Sequence, residues 1–198
     1  DFSAPMIGQL RARIEPGAPG SIDAVVGDGM ALPWDEHRFD AAFSMFGLMF
    51  FPDRARGFAE LARVLRPGGI AVVSSWVPVD RLPLLASMFA ALEAELPGPP
   101  APRRSFPLTD VASCREEMTA GGFRDVEVRE STTSTTAPSM RELAASFERT
   151  NAPVALAKQR LGAAWPPIAA AIAERMVAQF GEGPQRLEMT ANLIIGRR

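Results

Sequence analysis

The tripeptide Pro67-Gly68-Gly69 limits the fold of this chain more than any other feature, because it separates two segments of different periodicity. Upstream, between Asp53 and about Leu65, the residues Phe58, Leu61, Ala62 and Leu65 recur at i, i+3, i+4 and i+7, the apolar stripe of an amphipathic helix. Arg63 and Arg66 lie near its end, where the helix dipole favours cations. Downstream, Ile70 to Trp76 (IAVVSSW) is a nearly continuous apolar run, as expected of a strand buried on both faces of a parallel sheet. A helix that stops at Pro-Gly-Gly and feeds such a strand is an α/β unit.

The flanking sequence extends this pattern. Ser3 and Pro5 open a helix with Met6, Leu10 and Ile14 on one face, and Pro16 to Gly20 breaks it. Ile22 to Gly27 (IDAVVG) reads as a strand, Asp28 to Trp34 as a loop, and Phe39 to Phe46 (FDAAFSMF) as the next strand, followed by the apolar loop Gly47 to Phe51. Leu82, Leu85, Phe89, Leu92 and Leu96 mark a helix ahead of the proline-rich loop Pro97 to Pro102. Thr109 or Asp110 caps another, with Val111, Cys114 and Met118 inward and Gly121-Gly122 at its end. Phe123 to Arg129 alternates as a strand with one polar side, and Ser131 to Thr136 is a polar hinge.

Ser139 and Glu142 form a capping box for a helix carrying Met140, Leu143 and Phe147. Asn151 and Pro153 start a further helix ending at Gly162, and Trp165, Ile168, Ile172, Met176 and Phe180 mark one more. Met189 to Gly196 is the last strand. The expected fold is α/β: a mainly parallel sheet with flanking helices, a single domain over 1–198, and a helical insertion at 131–188 acting as a lid before the last strand.

Composition narrows the function. The 198 residues include 47% apolar and 22% charged residues, enough for a sizeable core. Twenty-one basic against twenty-three acidic residues give a net charge of −2, without the basic excess of a phosphate-tracking protein, so no nucleic-acid partner is expected. No run approaches the roughly eighteen apolar residues of a membrane span. The single cysteine, Cys114, excludes an internal disulfide framework, and a single histidine, His37, excludes any site needing two. No metal site is expected, and Cys114 and His37 read as a small core residue and a solvated turn residue. The chain opens at Asp1 with no initiator methionine and no signal-peptide pattern; a cytoplasmic location is expected. Nucleophile-elbow, phosphate-loop, C-x-x-C and H-E-x-x-H motifs are all absent from the sequence.

Three strings carry a family resemblance: Asp1-Phe2-Ser3; Gly27-Asp28-Gly29-Met30-Ala31-Leu32-Pro33-Trp34 followed by Phe39-Asp40; and Glu60 to Gly69 (ELARVLRPGG). In this order and at these separations they resemble the class I S-adenosylmethionine-dependent methyltransferases, of the small-molecule type found in ubiquinone and menaquinone biosynthesis. The resemblance is close from Asp1 to about Trp76 and looser over Phe106 to Val128 and Met189 to Arg198. It implies a Rossmann-like fold, S-adenosylmethionine as cofactor, and methyl transfer to a small, apolar or aromatic acceptor.

The resemblance also implies a set of cofactor-binding residues. Asp1 matches the acidic residue that accepts from the ribose hydroxyls, and Phe2 the apolar neighbour of the adenine. Asp28 matches the acceptor for the adenine amine, with Gly29 and Met30 offering backbone N–H groups. Ser44, Met45 and Phe46 match the segment beside the methionyl part and sulfonium. Asp28-Gly29 also suits a plain turn, and that alternative stays open. No catalytic residue is assigned, since displacement at an activated methyl needs positioning more than a strong nucleophile. Trp76, Phe89, Phe106, Met140, Phe147, Trp165 and Met176 are candidates to close an apolar pocket over the acceptor, or simply to pack helices.

The resemblance places a strand, a G-x-G-x-G loop and a helix ahead of the position matched by Asp1, and this sequence has none of them. The chain is therefore expected to be cut at its N-terminus, to bind the cofactor weakly or not at all, and to associate through an exposed edge. Ile22 to Gly27 is expected either to dock directly on Phe39 to Phe46 or to stay poorly paired. A binding module without turnover remains open, as does a nicotinamide-dependent oxidoreductase, though the absence of tyrosine removes the Tyr-x-x-x-Lys type.

Overall fold

The computed structural model describes residues 1–15, 20–96 and 106–198. Of the break expected at Pro16 to Gly20 all but Gly20, and the whole loop at Pro97 to Pro102, lie outside the described residues. The chain divides into two compact units, one of Asp1–Trp76, Pro107–Glu130 and Asn192–Arg198, the other of Val77–Phe106 and Ser131–Ala191.

The first unit contains α1 (Ala4–Arg13), β1 (Phe39–Met45), α2 (Arg54–Val64), β2 (Leu65–Trp76) and α4 (Val111–Ala120). The second contains α3 (Pro83–Glu95), α5 (Met140–Thr150), α6 (Ala152–Leu161) and α7 (Trp165–Phe180). Two strands, β3 (Arg124–Ala137) and β4 (Gln185–Arg197), contribute residues to both units. The sheet order is β1-β2-β4-β3. β1 pairs with β2 in parallel, from Ala41 opposite Ile70 to Met45 opposite Ser74. β4 runs against β2: Gly68 N–H donates to the Arg198 carbonyl at 2.9 Å, and Val77 N–H to that of Thr190 at 3.4 Å. The sheet is thus mixed and not mainly parallel as expected, since β1–β2 is the parallel pair shown, while its last strand is antiparallel as expected.

The Pro-Gly-Gly stop sits inside β2 as a bulge. Between the pairs Phe39–Leu65 and Ala41–Ile70 the register slips, and Gly68 supplies the left-handed backbone (φ +83°) the bulge needs. Beyond it β2 is buried on both faces, with Ala71, Val73, Ser74 and Ser75 all at 0% exposure. β1 is different: Phe43 and Met45 are 67% and 56% exposed, and β2 is its only neighbour in the sheet among the described residues.

Several expectations need correction. Ile22 to Gly27 is not a strand. No described strand offers it a ladder; instead the Ala24 carbonyl accepts from Arg11 Nε at 3.0 Å and Nη2 at 2.6 Å, and Gly27 N–H donates to the Asp1 carbonyl at 3.0 Å. Of the two expected outcomes for this segment it is the poorly paired one, and Ile22 remains exposed. On α1, Ile7 is buried, whereas Met6 and Leu10 of the expected apolar face are exposed. On α4, Cys114 and Met118 are fully buried but Val111 is exposed, since it follows the cap Asp110 in the first turn. The supposed hinge Ser131 to Thr136 is extended within β3, in keeping with the strand preference of its β-branched threonines.

The second unit is organised around apolar helix faces. Leu85, Met88 and Leu92 of α3 pack with Met140, Leu143 and Phe147 of α5, Val154 of α6, and Trp165, Ile172 and Met176 of α7. Ser139 caps α5 by accepting from Glu142 N–H at 3.1 Å, and Asn151 caps α6 by accepting from Val154 N–H at 3.4 Å.

Candidate functional site

All the matched site residues lie in the first unit. The hydrogen bond from Gly27 to the Asp1 carbonyl sets residue 1 beside the residue before Asp28, so the two acidic residues stand on adjacent stretches of chain. Each carboxylate already holds a local turn. Asp1 Oδ1 accepts from Ser3 N–H at 2.7 Å, and Asp28 Oδ1 accepts from Met30 N–H at 2.8 Å. The Asp28 carbonyl also accepts from Ala31 N–H at 3.0 Å, closing the turn. Both aspartates are exposed, and Phe2 is 85% exposed next to them.

The Met30 N–H is therefore committed within the chain and is not free for a ligand. Gly29 has a packing reason of its own: a Cβ there would lie 2.4 Å from Phe51 Cζ, and one at Gly57 would lie 2.7 Å from Phe51 Cδ2. The Phe51 ring is clasped between the two glycines and ties the loop 28–34 to the start of α2.

Three side chains of α2 hold the rest of that loop. Arg56 Nε donates to the Met30 carbonyl at 2.7 Å. Arg63 donates to the Trp34 carbonyl at 2.7 Å and the Leu32 carbonyl at 3.0 Å, while Glu60 accepts from Leu32 N–H at 2.7 Å. Glu60 and Arg63 also pair with each other through two hydrogen bonds, of 2.7 and 2.8 Å. Arg63 first, then the Leu32 N–H and Arg56, hold the Glu60 carboxyl below the usual glutamate range against partial desolvation. These residues stand inside the string ELARVLRPGG, where the sequence reading took them only as a helix end. Their i, i+3 spacing of opposite charges was the available signal.

At the end of β1 the chain turns sharply. Phe46 has a left-handed backbone (φ +55°), unusual for a bulky residue, and its N–H donates to Ser74 Oγ at 2.9 Å. Its ring stacks on Trp76 at 4.1 Å between centroids and 20° between planes. Ser44 Oγ accepts from Leu48 N–H at 3.0 Å, fixing the following turn. The residues Ser44, Met45 and Phe46 thus come together beside the end of β2, with Met45 exposed.

Cys114 and His37 behave as the sequence suggested. Cys114 is buried, its thiol bonds to the Leu108 carbonyl at 3.1 Å, and burial pushes its pKa up to about 11. His37 lies on an exposed turn. Met140, Phe147, Trp165 and Met176 are buried in the second unit's core, where they pack helix on helix.

Residues 1–73 match the family model described as "Methyltransferase domain". Among curated proteins the chain is similar to a demethylmenaquinone methyltransferase of Corynebacterium kroppenstedtii, 39% identical over 90 residues, which cover 45% of this chain and 35% of that protein. A demethylmenaquinone methyltransferase of Staphylococcus carnosus is 31% identical over 123 residues, covering 55% of this chain and 50% of that protein. Another, of Shouchella clausii, is 29% identical over 143 residues, covering 65% and 60%. The chain thus spans between 35% and 60% of the length of these relatives.

Among solved structures, a SAM-dependent methyltransferase of Thermotoga maritima has a TM-score of 0.51 at 17% identity, covering 100% of this chain and 70% of its own. A protein of Bacillus halodurans, described provisionally as a methyltransferase, reaches 0.58 at 16% identity, covering 100% and 80%. The [4+2]-cyclase SpnF reaches 0.53 at 20%, covering 100% and 65%. At these identities the structures establish the fold, and the cyclase shows that the fold alone does not dictate the reaction. The resemblance to class I methyltransferases of the ubiquinone and menaquinone type is borne out in the sequence of residues 1–73 and in the Rossmann-like fold.

Proposed function

We propose that this chain, whose first 73 residues match a methyltransferase domain, is the cofactor-binding part of an enzyme that transfers a methyl group from S-adenosylmethionine to a small organic acceptor. The observation that carries this reading is the hydrogen bond between Gly27 and Asp1, which brings Asp1 and Asp28 alongside one another. Two acidic residues so placed suit the two ends of an adenosine, a ribose diol and an exocyclic amine.

The residues fit that group in part. Asp28 keeps its Oδ2 without a partner among the described residues, and Gly29 N–H likewise, so both are open to an adenine edge. Asp1 would take the ribose hydroxyls and Phe2 would cover an adenine face. Ser44, Met45 and Phe46 would border the methionyl end. Of the two expected N–H donors, Met30 serves an internal bond and drops out, and the Phe46 N–H is likewise engaged within the chain. The bound cofactor supplies an activated methyl group. The chain supplies binding, orientation and exclusion of water, and no residue is assigned as a base.

The curated relatives are named for demethylmenaquinone, and a flat, hydroxylated aromatic is the acceptor class we carry over. The lid role of 131–188 within one domain, a cytoplasmic location and the absence of a nucleic-acid partner belong to the same proposal. No helix among the described residues is long and apolar enough to cross a membrane.

Ligand-detected NMR with S-adenosylhomocysteine and with NAD tests the reading, and it also registers the weak binding expected from the sequence. Weak saturation transfer to the homocysteine ligand and not to NAD is expected. Transfer to NAD instead would favour the oxidoreductase, and transfer to neither would overturn cofactor binding by this chain, the non-binding outcome also anticipated from the missing glycine loop.

A further inference from the structure

We infer that the helical unit holds a ligand site of its own: a cavity that takes a neutral, ring-sized apolar molecule bearing one hydroxyl, recognised by Trp165 and Glu148. The cavity has a volume of about 90 Å³ and lies among α5, α6 and α7, with Met88 of α3 on one wall. Its lining includes Ala144, Ala145, Ala169 and Ala173, small residues at positions where larger ones would close the space. Protein interiors seldom leave voids much larger than a water molecule, and holding one water takes only about 10–15 Å³ of such volume. The space is partly open to solvent at Arg141 and Ala145, so a small molecule can enter it from outside.

Two polar groups give the cavity its chemistry. Trp165 is 4% exposed, and its indole N–H is buried with no hydrogen-bond partner. A buried donor left unmade costs stability, and a ligand acceptor would remove that cost. Glu148 lines the same space. Its carboxylate pairs with Lys158 at 2.7 Å, which chiefly holds its pKa below the ordinary range, and the Trp165 N–H contributes in the same direction. The indole N–H thus stands near the carboxylate but outside hydrogen-bond geometry with it. A ligand hydroxyl bound at this end of the space would accept from the indole and donate to the carboxylate, while a ring would rest against the alanines and Ile172. A ligand carboxylate would be repelled by Glu148. The remaining charged group at the lining, Arg141, is occupied by Glu174 at 2.7 Å and Glu182 at 3.0 Å.

Every residue in the site belongs to the helical unit, and its test uses no S-adenosylmethionine, so its failure is distinguishable from failure of the proposed methyl transfer. Phenol and toluene, which differ by hydroxyl against methyl, are the probes. Each is titrated into the full chain by ligand-detected NMR, with thermal melting in parallel, for the wild type, Trp165→Phe and Ala173→Leu. Phenol should bind at least about tenfold more tightly than toluene and raise the melting midpoint. Trp165→Phe should abolish that preference, and Ala173→Leu should abolish binding of both while the chain still melts cooperatively. If Trp165→Phe fails to fold, Ala173→Leu alone decides. Equal affinity for the two probes, no binding of either (a cavity holding water only), or phenol binding unaffected by Ala173→Leu would each overturn the inference.

Discussion

The loop 28–34 and the helical unit are held by opposite kinds of force. Almost every anchor of the loop is a hydrogen bond: Asp28 closes its turn, and Arg56, Glu60 and Arg63 seize the backbone of Met30, Leu32 and Trp34. The helical unit is held by apolar side chains spread over four helices, such as Met88, Phe147, Val154 and Ile172. A distributed apolar core resists the loss of any one contact, yet each large side chain carries a large share of burial. A polar clasp buries little, so it contributes modestly to stability while fixing where particular backbone groups stand. The contrast is between bulk stability in one region and fixed backbone positions in the other.

Substitutions should separate the two regimes. The largest effect falls in the helical core: Phe147→Ala should destabilise by about 3–5 kcal/mol in denaturant unfolding, through lost burial and the cavity left behind. Glu60→Ala comes next. It leaves Leu32 N–H and the Arg63 guanidinium short of partners, and should cost about 1–3 kcal/mol. Read in a Trp76→Phe, Trp165→Phe background, which leaves Trp34 in the clasped loop as the fluorophore, the fluorescence should change too, which Phe147→Ala would not reproduce before global unfolding. Ser139→Ala removes the α5 cap and should cost about 1 kcal/mol. Smallest of all, Arg66→Ala breaks an exposed pair with Asp40 and should stay within about 0.5 kcal/mol.

Acid should also tell the regions apart. The folded Glu60 pKa is depressed, so its contribution is complete above the ordinary glutamate range and is lost as pH falls through the folded value. Trp34 fluorescence should therefore change at acid pH below that range, and Glu60→Gln should remove this step. A pH-independent Trp34 signal in the wild type would contradict the clasp.

The legible part of the molecule was the part governed by periodicity. The faces of α5 and α7, the two-sided burial of β2 and the caps Ser3, Ser139 and Asn151 follow from residue type and spacing, while between Thr109 and Asp110 the structure picks Asp110, which accepts from Ser113 N–H. Ile22 to Gly27 has the composition of a strand, but a strand exists only through a partner, and composition says nothing of partners. The i, i+3 spacing of Glu60 and Arg63 was the only available hint of their pairing, while their grip on a loop some thirty residues earlier depends on tertiary approach. The Asp1–Gly27 bond and the Phe51 ring between two glycines were hidden for the same reason. The family resemblance located Asp28, Gly29 and Met30, but only the structure shows that the Met30 N–H is already used.

The central claim is that Asp28, in a loop held by α2, is an adenosine contact more than a turn former. Titration of S-adenosylhomocysteine into the wild type and Asp28→Ala, followed by NMR, tests it most directly. Removing the charge-assisted hydrogen bond should cost about 1.5–3 kcal/mol of affinity, roughly a ten- to hundredfold rise in Kd, with the melting midpoint nearly unchanged. An unaltered Kd, or a lowered melting midpoint as the only change, would show that Asp28 serves the turn alone.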